Sequence, residues 1–375
     1  MLHRRQITPH NALGLSLLER IRCAGPISFR DWMDAALYDP SSGYYTTKSE
    51  RWGRRGDYRT SPQTSPLFAR TFARYFESLY ESMGRPPNIL FIEWGGGNGD
   101  FAKQFRETLS ARFPSTFEAV EYVYVEQSAD SREVARNKQG SVTSKISFTQ
   151  NLDSIDPGTI PCVVFSNELI DSFPVHRVQV NNGQLEELFV TADDAGVFQW
   201  LALPPATTEL ALFFESMHIV LQEGQIAEVN LEAKRWLDRI AASISNGYIV
   251  TVDYGTDACS LYDFGIRPAG SLRAFRKHSL VEDLLDAPGE QDLTSTVCWT
   301  DLVAAGRSLG MKDERRERLD LFLLRNGILA EMEELMNRND EAETAQMVIS
   351  AREMILPGGM ASAFEVLTQV IGFSR

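Results

Sequence analysis

The chain has 375 residues, of which 43% are apolar, 10% aromatic and 23% charged, a composition that excludes a disordered or fibrous protein. At ~150 residues per domain it leaves room for two or three folding units. Thirty-seven Lys and Arg against 51 Asp and Glu give a formal net charge of −14, which repels polyanions and argues against general nucleic-acid binding. The opening MLHRRQITPH lacks the apolar stretch of a secretory signal, and no later run approaches the ~20 residues of a membrane span, so a cytoplasmic protein without a membrane span is expected. Cys23, Cys162, Cys259 and Cys298 form no CxxC pair and have no histidine at zinc-ligand spacing; they read as reduced thiols, and no metal centre is expected.

Leu13, Leu17, Leu18 and Ile21 recur at helical spacing and stop at Gly25 and Pro26. A second helix carries Phe29, Trp32, Met33, Ala36 and Leu37 on one face, with Ser28 placed as its N-cap. From Ser41 to Pro66 the sequence turns loop-like, and its Tyr and Trp content points to a functional loop instead of disorder. Phe68 to Tyr80 is amphipathic. Short apolar strands then alternate with helices: Ile89–Ile92, helix Phe101–Leu109, Tyr122–Val125, helix Ser131–Lys138, Cys162–Phe165. That alternation predicts a doubly wound α/β core.

Val175–Val180 and Leu185–Val190 flank Asn181-Asn182-Gly183 and read as an antiparallel hairpin, with a third strand around Phe198–Leu203. The hairpin is either an edge that joins two subunits into a homodimer or an ordinary capped edge. Helix Leu231–Ile244 leads into strand Tyr248–Val252; periodicity weakens from Thr256 to Thr296; helices are expected over Thr300–Leu309, over Arg318–Met336 and in the final stretch. The expected division is 1–84 (N-terminal helices and a lid-like loop), 85–310 (the α/β core with inserted helical and hairpin elements) and 311–375 (a C-terminal helical segment).

The strongest chemical signal is IEWGGGNGDF, Ile92 to Phe101. A buried strand ends in Glu93, and Gly95, Gly97 and Gly99 permit a tight turn and close backbone approach by a ligand before a helix begins. Asp100 stands where a dinucleotide pattern would place its last glycine, which favours S-adenosyl-L-methionine over NAD. Glu126 ends the next strand, where a carboxylate accepts hydrogen bonds from both hydroxyls of a ribose.

The next strand runs into SNELIDSFP, Ser166 to Pro174. If Asn167 starts a helical turn, Glu168 and Asp171 face one cleft and can clamp a guanidinium; helix capping by Asn167 beside a solvated acidic turn is the plainer alternative. Asp253 ends another strand, where it orients an acceptor or caps the next turn. His278 lies in a basic loop, as a proton relay or as a surface histidine.

GPISFRDWMDAALYDPSSGYY, GDYRTSPQTSPLF, IEWGGGNGDF, SNELIDSFPVHR, GYIVTVDYG and APGEQDLT together resemble the MidA and NDUFAF7 family of methyltransferases, in family order from about Leu17 to Gly310. The resemblance implies a class I, Rossmann-like S-adenosyl-L-methionine-dependent core with a mixed seven-stranded sheet and additional helical elements. It also implies a protein substrate, since the mitochondrial branch is known for arginine methylation and assistance to respiratory-complex assembly. The family's cofactor motif falls on Glu93, Gly95, Gly97, Gly99 and Glu126. Its post-strand motif falls on Asn167, Glu168 and Asp171, its DYG on Asp253, and a later histidine on His278. Gly56, Asp57, Thr60, Ser61 and Pro62 match a loop placed over the cofactor. Gln63 stands where the family commonly has Glu, and Asn98 where the mitochondrial branch usually has Arg. A cofactor-binding assembly factor without turnover is therefore the alternative to an active enzyme.

Overall fold

The apolar runs from Ile89 onward assemble into one sheet. Its path contains β1 (Ile89–Trp94), β2 (Val120–Val125), β3 (Ile146–Thr149), β4 (Cys162–Asn167), β5 (Gly247–Thr256), β6 (Lys312–Arg318) and β7 (Phe364–Ile371). They lie in the order β6-β7-β5-β4-β1-β2-β3. The strands from β5 across to β3 pair in parallel, and β7 runs antiparallel to both β5 and β6. The structure is a computed structural model that describes residues 11–46, 65–140, 145–153, 155–276, 279–337, 341–356 and 358–373. Among the described residues, no helix is long and apolar enough to cross a membrane.

Among the described residues, the helices beside this sheet include α1 (Pro66–Ser82), α2 (Asp100–Arg112), α3 (Pro114–Ala119), α4 (Ala129–Lys138) and α5 (Leu231–Ser243). The chain leaves β1 through α2 to β2, continues through α4 to β3, and returns to β4 on the other side of β1. The strand order thus reverses between β1 and β4, and the carboxyl ends of these strands border the crevice where open α/β sheets bind ligands. One sheet face is packed with rings: Phe101 stacks on Phe165 at 4.4 Å between centroids, and Phe76 of α1 meets Phe91 edge-on at 5.1 Å. On the opposite face Trp236 of α5 meets Trp94 at 5.9 Å. Helices on both faces explain why β1, β2 and β4 read as continuous apolar runs with no alternation.

The C-terminal part departs from expectation. The helix expected over Arg318–Met336 is two, α7 (Leu319–Arg325) and α8 (Ile328–Met336), following α6 (Trp299–Ser308). Gly327 at φ 93° breaks it, in a conformation that costs glycine little. The final stretch, expected to be helical, is α9 (Glu341–Ile355) followed by β7, whose Phe364, Val366 and Val370 enter the main core. A short apolar run does not distinguish strand from helix by period alone. Strand β6, KDERRER, has no apolar signature at all. It closes one sheet edge with charge, through the pairs Arg315–Glu317, Arg316–Glu365 and Arg318–Asp320, a protection against stray strand pairing.

The chain divides into two compact units, neither continuous in sequence, so the stretch 85–310 contributes to both. The larger is Ser49–Asp171, Lys234–Gly255 and Leu302–Arg375, which holds the sheet just described; the smaller is Met1–Lys48, Ser172–Ala233 and Thr256–Asp301. In the smaller unit the first two helices form as expected, Ala12–Ala24 and Phe29–Tyr38, with Ser28 Oγ accepting from the Asp31 N–H at 3.1 Å. The hairpin His176–Asn181 and Gln184–Ala192 turns at Asn182 and Gly183, with φ 52° and 72°, and Phe198–Leu203 pairs with its second strand. The hairpin is not a sheet edge. Its first strand also pairs with Ile226–Val229, and its second also pairs with Ile27–Ser28. Where periodicity weakens, a small sheet forms from Arg273–Arg276, Ser279–Val281 and Asp292–Thr294.

Candidate active site

The turn after β1 is held from three sides. The Gly95 N–H donates to the Val125 carbonyl at 2.8 Å, the Gly97 N–H donates to Glu126 Oε2 at 3.0 Å, and the Tyr124 hydroxyl donates to the Gly97 carbonyl at 2.7 Å. Gly95, Gly97 and Gly99 have φ of 75°, 59° and 77°, a region that penalises any side chain. Two glycines are also fixed by space. A Cβ at Gly96 would lie 2.3 Å from the Tyr124 ring, and one at Gly99 would lie 2.6 Å from the Ala135 Cβ of α4. Gly99, one residue before Asp100, therefore supplies a close contact between the turn and α4. Gly99→Ala is expected to destabilise the fold by about 1–3 kcal/mol through this overlap, measured as a lower urea midpoint with an unchanged slope.

Asp100 opens α2. Asn98 Oδ1 accepts from the Asp100 N–H at 3.1 Å, Asn98 Nδ2 donates to Asp100 Oδ2 at 2.9 Å, and Lys138 Nζ sits 2.7 Å from Asp100 Oδ1. The N-cap of α2 is Gly99, and Asn98 before it takes the first N–H of the helix.

Glu93 and Glu126 flank the turn in different ways. Glu93 is 3% exposed and accepts from the Tyr122 hydroxyl at 2.7 Å. Burial pushes its carboxyl up to about 8, against the lowering effect of that hydroxyl; the charges of Glu126 and Asp100 add to the rise. Glu126 is half-buried, its Oε2 taken by Gly97 and its Oε1 accepting from the Ser128 N–H at 2.9 Å. Burial raises its pKa while those two N–H bonds oppose the rise. Each oxygen keeps one lone pair for a further donor.

The sign of the pH dependence follows from linkage. A glutamate in the unfolded chain ionises near ~4.3, whereas Glu93 in the fold holds its proton to about 8. Its contribution to stability is complete below the unfolded value and is lost as pH rises through about 8. Glu93→Gln, which cannot ionise, is expected to flatten this part of the decline in denaturation midpoint between about pH 5 and pH 8.5.

The segment after β4 differs from the expected helical turn at Asn167. Asn167 is still the last residue of β4, Glu168 takes φ 52°, and a single 3-10 turn begins only at Ile170. Asn167 Nδ2 donates to Glu168 Oε1 at 3.0 Å, and the Glu168 N–H donates to the Val252 carbonyl at 2.9 Å. Asp171 is buried. Asp253 does not end its strand as expected but lies fully buried within β5, one residue past the end of its pairing with β4, and binds this segment: its Oδ2 accepts from the Ile170 and Asp171 N–H groups at 2.9 and 3.2 Å, and its Oδ1 from the Tyr254 N–H at 2.9 Å. Burial raises the Asp253 pKa, those N–H bonds lower it and the Glu168 charge raises it. Asp253 grips the backbone that carries the other two acids.

Glu93, Gly95, Gly97, Gly99, Glu126, Asn167, Glu168 and Asp171 thus stand at or just beyond the carboxyl ends of β1, β2 and β4, and Asp253 within β5 follows Val252, the partner of Asn167. Gly56, Asp57, Thr60, Ser61, Pro62 and the neighbouring Gly53, Tyr58 and Gln63 lie outside the described residues, as does His278. Sequence reasoning missed Tyr122 and Tyr124, whose hydroxyls fasten Glu93 and the glycine turn. The only signal was two tyrosines at alternate positions of one strand, which place both on one face.

A sulfonium nucleoside fits these residues. The turn has no Cβ atoms at 96 and 99, where Tyr124 and Ala135 occupy the space, and Glu126 has acceptor capacity to spare. Asn167 Oδ1 and Ser166 Oγ are buried without a hydrogen-bond partner among the described residues, an unusual condition that donors such as an ammonium group or a hydroxyl would relieve. The surrounding carboxyls suit a cation.

Comparisons with known proteins agree. Residues 71–315 match the profile of the family described as "Putative S-adenosyl-L-methionine-dependent methyltransferase". The mitochondrial protein arginine methyltransferase NDUFAF7 of Mus musculus is 25% identical, over 96% of this chain and 84% of that protein; its Rattus norvegicus counterpart is 26% identical, over 93% and 82%. A Burkholderia thailandensis protein crystallised with S-adenosyl-homocysteine superposes with a TM-score of 0.86 at 27% identity, covering 97% of this chain and 93% of the other. With the profile spanning more than half of the sequence, the chain belongs to this family of S-adenosyl-L-methionine-dependent methyltransferases.

Proposed function

We propose that the acceptor is an arginine guanidinium of a protein substrate, held by Glu168 and Asp171. The observation that carries this reading is the strained segment after β4. A glutamate at φ 52° costs on the order of 1–2 kcal/mol, and such strain persists only where the surroundings over-determine it. Here the Val252 carbonyl and the Asp253 carboxylate fix the backbone on both sides of Glu168. The names of the similar animal proteins, protein arginine methyltransferases, support the same acceptor.

When bound, S-adenosyl-L-methionine supplies an electrophilic methyl group on sulfur. Glu126 and the Gly95–Gly99 turn would hold the nucleoside, and Asn167 Oδ1 is an unpartnered acceptor that one of its donors would satisfy. Glu168 orients the guanidinium by charge-assisted hydrogen bonds and accepts the proton that leaves nitrogen. Asp171 is the second acid of the pair. Asp253 keeps the segment in place.

The test is transfer of labelled methyl from the cofactor into protein, followed by acid hydrolysis and separation of the amino acids. The reading expects label in methylarginine. Label in methyllysine or in a carboxyl ester would overturn the acceptor, and cofactor binding without any labelled protein would favour an assembly factor that has lost turnover.

A further inference from the structure

Two outer strands, one from each of the larger sheets, differ in how they treat solvent. β6 covers its edge with charge, whereas Phe198–Leu203, FQWLAL, carries no charged side chain and ends at Pro204 and Pro205. Its register with Gln184–Ala192 pairs Glu187 with Leu203, Phe189 with Leu201 and Thr191 with Gln199. The connecting loop closes through the Asp193 N–H to the Val197 carbonyl at 3.0 Å. In an antiparallel ladder the bonded pairs alternate, so counting on from that bond makes Gln199, Leu201 and Leu203 the residues bonded inward. The N–H and C=O groups of Trp200 and Ala202 then face outward, and no strand among the described residues pairs with them. The flanking side chains are apolar and half-buried: Trp200, packed under Arg177 at 4.8 Å, with Leu201 and Leu203 on the other face.

We infer that this edge is a pairing surface for a second copy of the same chain. An antiparallel strand placed across a two-fold axis at Trp200 meets its own pattern. Trp200 exchanges both backbone bonds with its counterpart, and Gln199 lies opposite Leu201 of the second copy. A neutral apolar strand suits a copy of itself. A chain with net charge −14 gains nothing electrostatic from a copy of itself, so self-pairing needs an uncharged strip such as this one. The surface is the strand after the hairpin, since both hairpin strands are already paired on each side.

The test is molar mass by light scattering across a dilution series of the full chain. Wild type is expected to approach twice 42.1 kDa at micromolar concentration and to dissociate on dilution. Gln199→Lys with Leu201→Lys sets like charges opposite each other in the paired form and is expected to weaken association at least about tenfold, with S-adenosyl-homocysteine affinity unchanged. Ala202→Pro removes one outward N–H without touching an inward bond and should act the same way. Hydrogen exchange of wild type supplies a reading independent of any variant's folding: the Trp200 and Ala202 amides are expected to be slowed at high concentration alone. A wild-type chain that stays monomeric, a dimer that both variants leave intact, or exchange at these amides that ignores concentration would overturn the proposal.

Discussion

Glu168→Gln is expected to lower the rate of methyl transfer by about 10²–10⁴-fold, the usual contribution of a positioned proton acceptor, while S-adenosyl-homocysteine binds as before. Glutamine preserves the shape, the side-chain oxygen that accepts from Asn167 Nδ2 and the backbone bond to Val252. What it loses is the charge that clamps a cation and the basicity that takes a proton. Single-turnover kinetics with excess enzyme, run beside calorimetric titration of S-adenosyl-homocysteine, separate the two effects. Unchanged chemistry would remove Glu168 from the reaction, and a joint loss of binding and rate would make it part of the cofactor pocket. Asp253→Asn supplies the contrast. It weakens the grip on the Ile170 and Asp171 N–H groups, so its effect should fall on acceptor KM as well as on kcat.

Glu126→Ala is expected to weaken S-adenosyl-homocysteine at least about 100-fold, close to 2.7 kcal/mol at about 1.4 kcal/mol per tenfold. The side chain does two jobs. It fixes the glycine turn through Gly97 and the start of the next segment through Ser128, and its remaining acceptor capacity would serve the ribose hydroxyls of a bound nucleoside. Each charge-assisted bond of this kind contributes about 1.5–3 kcal/mol, so losing the pair with the ribose accounts for the effect, and loosening of Gly97 adds to it. Glu126→Gln, which retains one acceptor oxygen, should fall between alanine and wild type. A variant that binds like wild type would show that the nucleoside does not reach the end of β2.

Much of this site was legible because its chemistry is written in residue types that have few other uses. Three glycines at alternate positions after a buried strand announce a turn that only glycine tolerates, and their φ values of 75°, 59° and 77° bear this out. Asn182-Gly183 announced a hairpin for the same reason. The backbone of the segment after β4 was not legible. Glutamate at φ 52° runs against its own preference, so the sequence pointed to a helical turn where tertiary bonds from Val252 and Asp253 impose another conformation. The long-range anchors were equally silent: Tyr122 and Tyr124 read as two more apolar residues of a strand, because nothing local reveals what a hydroxyl will meet. β6 and β7 were missed for different reasons, the first having no apolar residue and the second being a short apolar run whose period does not separate strand from helix. The hairpin was recognised, yet its place inside a sheet depended on Ile226–Val229 and Ile27–Ser28, strands too short to announce themselves.

A crystal structure grown with saturating S-adenosyl-homocysteine would locate the methyl donor relative to the carboxyl ends of β1 and β2. The nucleoside is expected against the Gly95–Gly99 backbone with both ribose hydroxyls on the Glu126 carboxylate. Density for it elsewhere on the chain, or ribose hydroxyls turned away from Glu126, would contradict this placement.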